Sequence, residues 1–247
     1  PYREMKAYDL LVQCETGLAA ITGAPEQPGR VGVSVCDIAC GMYAHAAVLQ
    51  ALLEREQTGL GQGLAVSLFD ALADWMTVPL LHQDYGSGAP QRVGLNHPSI
   101  APYGAYRCQG GEQVVISIQN EREWRNLCEQ VLRLPELVED PRFCSNVERC
   151  ANRPALDAEI AGVFGALRRG DLVERLFDAS IAFGSVNSVA DLSTHQQLRR
   201  SEVETPSGPV ATVAPPVQRA GGDIARRPVP ALGEQSARLR QEFTGAD

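Results

Sequence analysis

Hydrophobic positions beyond residue 37 recur with a helical period. Met42, Ala46, Leu49, Leu52 and Leu53 fall at three- and four-residue steps, Glu54 to Gln57 turn polar, and Gly59 supplies a stop. The spacing predicts an amphipathic helix over 40–57 with that stripe facing a core. Before it, Val31-Gly32-Val33-Ser34-Val35 is β-like, and after it Leu64-Ala65-Val66-Ser67-Leu68 is short, apolar and strand-compatible. Asp70 to Gln83 predicts a second helix kinked at Pro79, because proline lacks an amide and crowds the preceding turn. A strand-helix-strand-helix alternation points to α/β architecture.

Asp84 to Pro102 is rich in Gly and Pro and reads as a connector and domain boundary. Beyond it, Gly104-Ala105-Tyr106-Arg107-Cys108 and Gln113-Val114-Val115-Ile116-Ser117-Ile118 flank Gly110-Gly111, a hairpin signal. Helical spacing returns over Glu121–Leu132, Pro154–Leu167 and Asp171–Ala179, so this part reads as an α+β module. After Asp191 prolines accumulate, which predicts an extended arm and a short final helix over Glu234–Phe243. Pro1 opens the sequence where a Met is usual, and an ordered segment follows at once, so a fragment of something longer is expected.

Composition narrows the class. Of 247 residues, 44% are hydrophobic and 21% charged, as in ordinary globular domains. With 22 Lys+Arg against 30 Asp+Glu the net charge is −8, and the short basic runs Arg168-Arg169, Arg199-Arg200 and Arg226-Arg227 are isolated pairs, which argues against a nucleic-acid surface. No uninterrupted apolar run reaches membrane-spanning length and the first residues lack a signal-peptide core, so a cytoplasmic protein with no membrane partner is expected. The seven cysteines are odd in number and contain no CxxC pair, so reduced, mostly buried thiols are expected. The four histidines are scattered, and no metal is expected.

Thr58-Gly59-Leu60-Gly61-Gln62-Gly63 invites a nucleotide-loop reading, but a helix precedes it where a phosphate cradle needs a strand, so a helix C-cap is the better reading. Gly32-Val33-Ser34-Val35-Cys36 lacks the second glycine of a serine nucleophile elbow. Asp37 stands out, at the junction of the β-like run with the helix. A carboxylate near helix N-terminal amides stays ionised, and when partly dehydrated it can act as a covalent nucleophile. The bland reading of the same residue is an N-cap aspartate.

Larger patterns then align. Lys6-Ala7-Tyr8-Asp9-Leu10-Leu11-Val12-Gln13, Gly17-Leu18, Thr22-Gly23, Cys36-Asp37 with Gly41, and Ala51-Leu52-Leu53-Glu54-Arg55 with Thr58-Gly59-Leu60-Gly61-Gln62 resemble the class III CoA-transferase family. So do Val66-Ser67-Leu68-Phe69-Asp70-Ala71, His97 to Tyr103, Asp140-Pro141-Arg142-Phe143, His195 to Arg199 and Pro230 to Glu234. The family includes formyl-CoA, carnitine and bile-acid CoA-transferases and α-methylacyl-CoA racemase. The resemblance implies an α/β fold: part of a Rossmann-like large domain over 1–75, a linker over 76–97, a small α+β domain over 98–183 and a return arm over 184–247. It also implies an absent N-terminal portion and an interlocked homodimer.

By the same resemblance Asp37 is the catalytic aspartate, and the substrates are an acyl-CoA donor and a carboxylate acceptor, with coenzyme A thioester as substrate and no tightly bound cofactor. Lys6 matches a basic residue that meets the CoA phosphates, and Tyr8 an active-site tyrosine. The racemase branch carries His-Asp-x-Asn-Tyr where this chain has Tyr8-Asp9-Leu10-Leu11-Val12, so its histidine base is missing. The glycine-rich loop of formyl-CoA transferases is likewise replaced, by Asn96 to Pro102, so the acyl donor and acceptor stay open.

Overall fold

Val12 and Gln13 are the buried residues of a short helix, α1 (Asp9–Glu15), that begins an antechamber of small elements: α2 (Leu18–Ile21) and the antiparallel pair β1 (Gly23–Ala24) and β2 (Gln27–Pro28). In this computed structural model residue 2, residues 4–222 and residues 226–244 are described; Pro1, on which the expectation of a cut N-terminus rests, lies outside them. Gly23 is required at its turn: its φ is +111°, and a Cβ there would meet the Gln27 carbonyl oxygen at 2.5 Å.

The predicted helix over 40–57 is α3 (Val35–Thr58), which starts five residues earlier. Val31-Gly32-Val33-Ser34 is accordingly a loop, not a strand, and Val35 is already helical. Gly59 ends α3 in the left-handed region (φ 74°), its N–H donating to the Arg55 carbonyl at 2.8 Å, the C-cap expected of the glycine run. Residues 59–67 then form no strand; they run irregularly into α4 (Leu68–Trp75), so the predicted strand at 64–68 is overturned. Ser67 decides this locally, its hydroxyl accepting from the Asp70 N–H at 3.0 Å to open a helix one residue later. The single helix predicted over 70–83 is two, α4 and α5 (Thr77–Tyr85), broken at Met76; Pro79 sits in the first turn of α5, where a missing amide costs nothing.

The expected core face of α3 is exposed. Only Val35, Cys36 and Ala39 of this helix are buried, whereas Met42, Ala46, Leu49, Leu52 and Leu53 all face solvent. The small core here is Val12, Val35, Cys36 and Leu72, with Leu18, Val31 and Leu68 against it. With 24 residues and an 18-residue window of mean hydropathy 1.4, α3 is also long and apolar enough by composition to cross a membrane, although its apolar residues form no uninterrupted run of that length. Its N-terminal turns pack against α1 and α4.

The main core lies between residues 101 and 181. The predicted hairpin is present as β3 (Tyr103–Arg107) and β4 (Gln113–Ser117), antiparallel, with Tyr103 opposite Ser117. A third strand, β5 (Ala182–Ser185), joins β4 to complete the order β3-β4-β5. The helix predicted over 121–132 begins as α6 (Glu121–Asn126) and widens to a π-helical turn over Leu127–Leu132, which places Leu127, Cys128, Val131 and Leu132 all in the core. After a 3-10 turn (Pro135–Val138) and α7 (Asn146–Ala151), α8 (Arg153–Phe164) buries Leu156, Ile160 and Phe164, and α9 (Arg169–Asp178) buries Leu172 and Leu176, each at four-residue steps. Arg149 is 2% exposed, yet fully satisfied: its guanidinium reaches the Ala101 and Phe143 carbonyls, both oxygens of Glu121 at 2.8 Å, and the Trp124 face at 4.9 Å.

Residues 1–186 form one compact unit and 187–247 a second. The second holds α10 (Val189–Ser193), the hairpin β6 (Arg200–Val203) with β7 (Val210–Val213), and the expected final helix, α11 (Ser236–Thr244). The extended arm thus contains a hairpin that proline content had masked. The thiols also differ from expectation: Cys36, Cys108 and Cys128 are buried, but Cys14 and Cys144 are exposed and Cys40 and Cys150 half-buried.

Candidate active site

Asp37 occupies the first turn of α3, three residues after the N-cap Ser34, so it is not itself the cap. It is exposed. Among the described residues no hydrogen bond reaches its side chain, and it lies beside the positive end of a 24-residue helix.

The residue before it is locked. Cys36 is fully buried; its N–H donates to Asp9 Oδ1 at 2.9 Å and its thiol to the Asp9 carbonyl at 3.3 Å. Burial, then the bond and charge of Asp9 and the charge of Asp37, push the Cys36 thiol up to about 12, so this sulfur stays protonated and is not a nucleophile. Gln13, also fully buried, donates to Asp9 Oδ2 at 2.7 Å and accepts from the Val31 N–H at 2.9 Å. One glutamine thereby ties α1 to the loop that enters α3. Burial raises the Asp9 carboxyl, but the hydrogen bonds from Cys36 and Gln13 and the charge of Arg30 outweigh it and hold the group below its usual value.

Lys6 and Tyr8 are both exposed, and Tyr8 immediately precedes α1 as its N-cap residue. The Asp9–Cys36 contact brings the starts of α1 and α3 together, so Tyr8 and Asp37 flank the same junction in the chain; Lys6 lies two residues further out. Asp9 and Gln13 were within the motif seen in the sequence, yet their role went unread. The signal was their four-residue spacing on one helix face, opposite a loop that needs a partner.

A second feature lies along α3 and α4: a cavity of about 260 Å³ lined by Tyr43, Ser67, Asp70 and Asp74 among others. Tyr43 donates its hydroxyl to Asp74, and that bond holds the phenol above its usual value.

The helix start that carries the unengaged Asp37 carboxylate is held by a polar clamp, Asp9 and Gln13, from a neighbouring helix. The chain is a member of CoA-transferase family III, whose model matches residues 1–236. Among curated proteins it is 32% identical to an acetyl-CoA:oxalate CoA-transferase from Acetobacter aceti over 251 residues, covering 100% of this chain and 64% of that one. It is 26% identical to the human succinyl-CoA:glutarate CoA-transferase, covering 100% of this chain and 58% of that one. Among solved structures, a CAIB/BAIF family protein from Brucella suis superposes with a TM-score of 0.81 at 30% identity over 98% of this chain and 64% of that chain. The mixed α/β fold of that family is therefore the fold of this chain. The chain spans about 64% of the length of the Acetobacter aceti and Brucella suis proteins.

Proposed function

We propose that the protein is an acyl-CoA:carboxylate CoA-transferase that works through Asp37. The observation that supports this is the unengaged Asp37 carboxylate at the start of α3, in a chain of this family. The carboxylate attacks the thioester carbonyl of the donor, forming an aspartyl-acyl anhydride and expelling CoA thiolate. The thiolate then attacks the aspartyl carbonyl, releasing the donor's carboxylate and leaving an aspartyl-CoA thioester. An acceptor carboxylate attacks that thioester, and the thiolate returns to the acceptor's acyl carbon, regenerating Asp37. The Cys36–Asp9 contact holds the helix start through these exchanges, and Lys6 and Tyr8 serve the CoA phosphates and the acyl group.

The substrates in relatives' names are small carboxylic acids, oxalate and glutarate among them, so the donor panel starts with acetyl-CoA and succinyl-CoA. The acting unit is an interlocked homodimer in the cytoplasm, with residues 1–75 completing a Rossmann-like domain, 98–183 the small domain and 184–247 the returning arm. The test is to incubate the intact protein with the donor panel, trap with hydroxylamine or borohydride, and map mass changes on the peptide that contains Asp37. A trapped Asp37, with transfer abolished in Asp37→Ala, is the expected result. No adduct, together with deuterium wash-in at the α-carbon of a 2-methylacyl-CoA, would replace transfer by racemisation.

A further inference from the structure

A carboxylate three residues after an N-cap ordinarily folds back on the cap. Three helices of this chain do so, whereas in α7 the Ser145 hydroxyl accepts from the Glu148 N–H with no bond back from the Glu148 carboxylate among the described residues. In α4 the Ser67 hydroxyl donates to Asp70 at 2.6 Å, in α6 Asn120 donates to Glu123 at 2.9 Å, and in α10 the Ser188 N–H donates to Asp191 at 2.8 Å. Each of those cap residues has an extended backbone, with ψ of 152°, 167° and 170°. Asp37 has the same position in α3 but makes no such bond. Its cap residue Ser34 is turned instead, with ψ 69°, and its hydroxyl caps nothing, so the reciprocal geometry is unavailable. The Cys36 amide of that turn goes to Asp9, a residue 27 positions away, and Gln13 orients that carboxylate from the same helix.

We infer that Asp9 is a positioning residue for Asp37: it caps α3 in place of the Ser34 side chain, so that the Asp37 carboxylate is fixed by its backbone yet left unengaged for attack. The inference rests on the reading of Asp37 as the nucleophile. The geometry divides two tasks that one aspartate cannot perform together, since a carboxylate bonded to its own helix start is both less nucleophilic and turned toward the backbone. Burial first, and then the hydrogen bond and charge of Asp9, keep the thiol of Cys36 protonated and out of the reaction.

The experiment is single-turnover labelling of Asp37 in the intact protein, with the rate constant and the amplitude read separately. Folding is checked by near-ultraviolet circular dichroism. In Asp9→Ala the rate constant for the Asp37 adduct falls about 100-fold, because the helix start is no longer held in register, while KM for the donor stays within about 2-fold. Asp9→Asn retains an oxygen acceptor for the Cys36 amide and loses only about 10-fold, a rescue that identifies the cap and not the charge as the main contribution. A merely structural role would lower the amplitude and leave the rate constant alone. A folded Asp9→Ala with the wild-type rate constant overturns the inference while the Asp37 reading stands. If Asp9→Ala does not fold, Gln13→Ala, which removes the group that orients the Asp9 carboxylate, decides: a slowed rate constant at unchanged KM supports the role, and an unchanged one overturns it. Transfer by the wild type with no adduct on Asp37, retained in Asp37→Ala, overturns the nucleophile reading itself, and the positioning role falls with it.

Discussion

Arg149 and Glu121 show what a single pair does in this fold. Arg149 is buried under Trp124 and spends its donors on two backbone carbonyls and on Glu121, which remains largely exposed. The hydrogen bonds from Arg149 hold the Glu121 carboxyl below its usual 4.5, against a smaller upward push from burial. A carboxyl depressed by folding stabilises the native state above its unfolded value, and that contribution is lost as pH falls through the folded value. Urea unfolding of the wild type should therefore lose stability below about pH 4.5 more steeply than Glu121→Gln; equal acid slopes would refute this. Arg149→Leu should cost roughly 2–4 kcal/mol, because two buried carbonyls lose their donor. At Asp37, by contrast, Ala is expected to abolish transfer with little change in stability, since its side chain holds nothing in place. A variant that unfolds while its folded remainder stays active would make Asp37 a stabilising residue only.

At the scale of elements, helix ends were readable wherever the cap is local. Ser67 opens α4 and Gly59 closes α3 with the residue types that short-range physics demands. Ser67→Ala should lower stability by about 1 kcal/mol, and Gly59→Ala by a similar amount because φ there is +74°; thermal unfolding measures both. The start of α3 was misplaced for the opposite reason. Its cap comes from Asp9 in another helix, so nothing near Ser34 announces that helix begins at Val35. β-branched residues at 31, 33 and 35 then imitate a strand, and the tertiary contact overrides their preference. The hairpin β3-β4 was legible because its turn is local, closed by the Gly111 N–H to the Cys108 carbonyl at 2.9 Å with Gly111 at φ +87°.

For the whole molecule, α3 sets the main consequence. Its apolar stripe has the period of a core helix, yet Met42, Leu49, Leu52 and Leu53 are exposed, as is Asp37. An anhydride intermediate survives only where water is kept out. The 247 residues alone are therefore expected to show little or no transfer and weak CoA binding, and to bind an apolar fluorescent dye strongly through the open stripe. Calorimetric titration with CoA checks this, and micromolar binding by the isolated chain would refute it. The main core is different in kind, closed on itself between residues 101 and 181. Leu156→Ala there should cost about 2–5 kcal/mol by leaving a cavity, measurable as a lowered denaturant midpoint.

Periodicity, turn glycines and local caps are short-range properties, so the sequence by itself determined α8, α9, the β3-β4 hairpin, the end of α3 and the final helix. Its motif succession also singled out Asp37 and carried the family. Where polar groups find partners far along the chain, only tertiary structure could decide. The Asp9 carboxylate meets the Cys36 amide across 27 positions, Gln13 spans to Val31, and β5 pairs with β4 from beyond α9. Such contacts depend on which surfaces come together, a quantity no local window of residues contains.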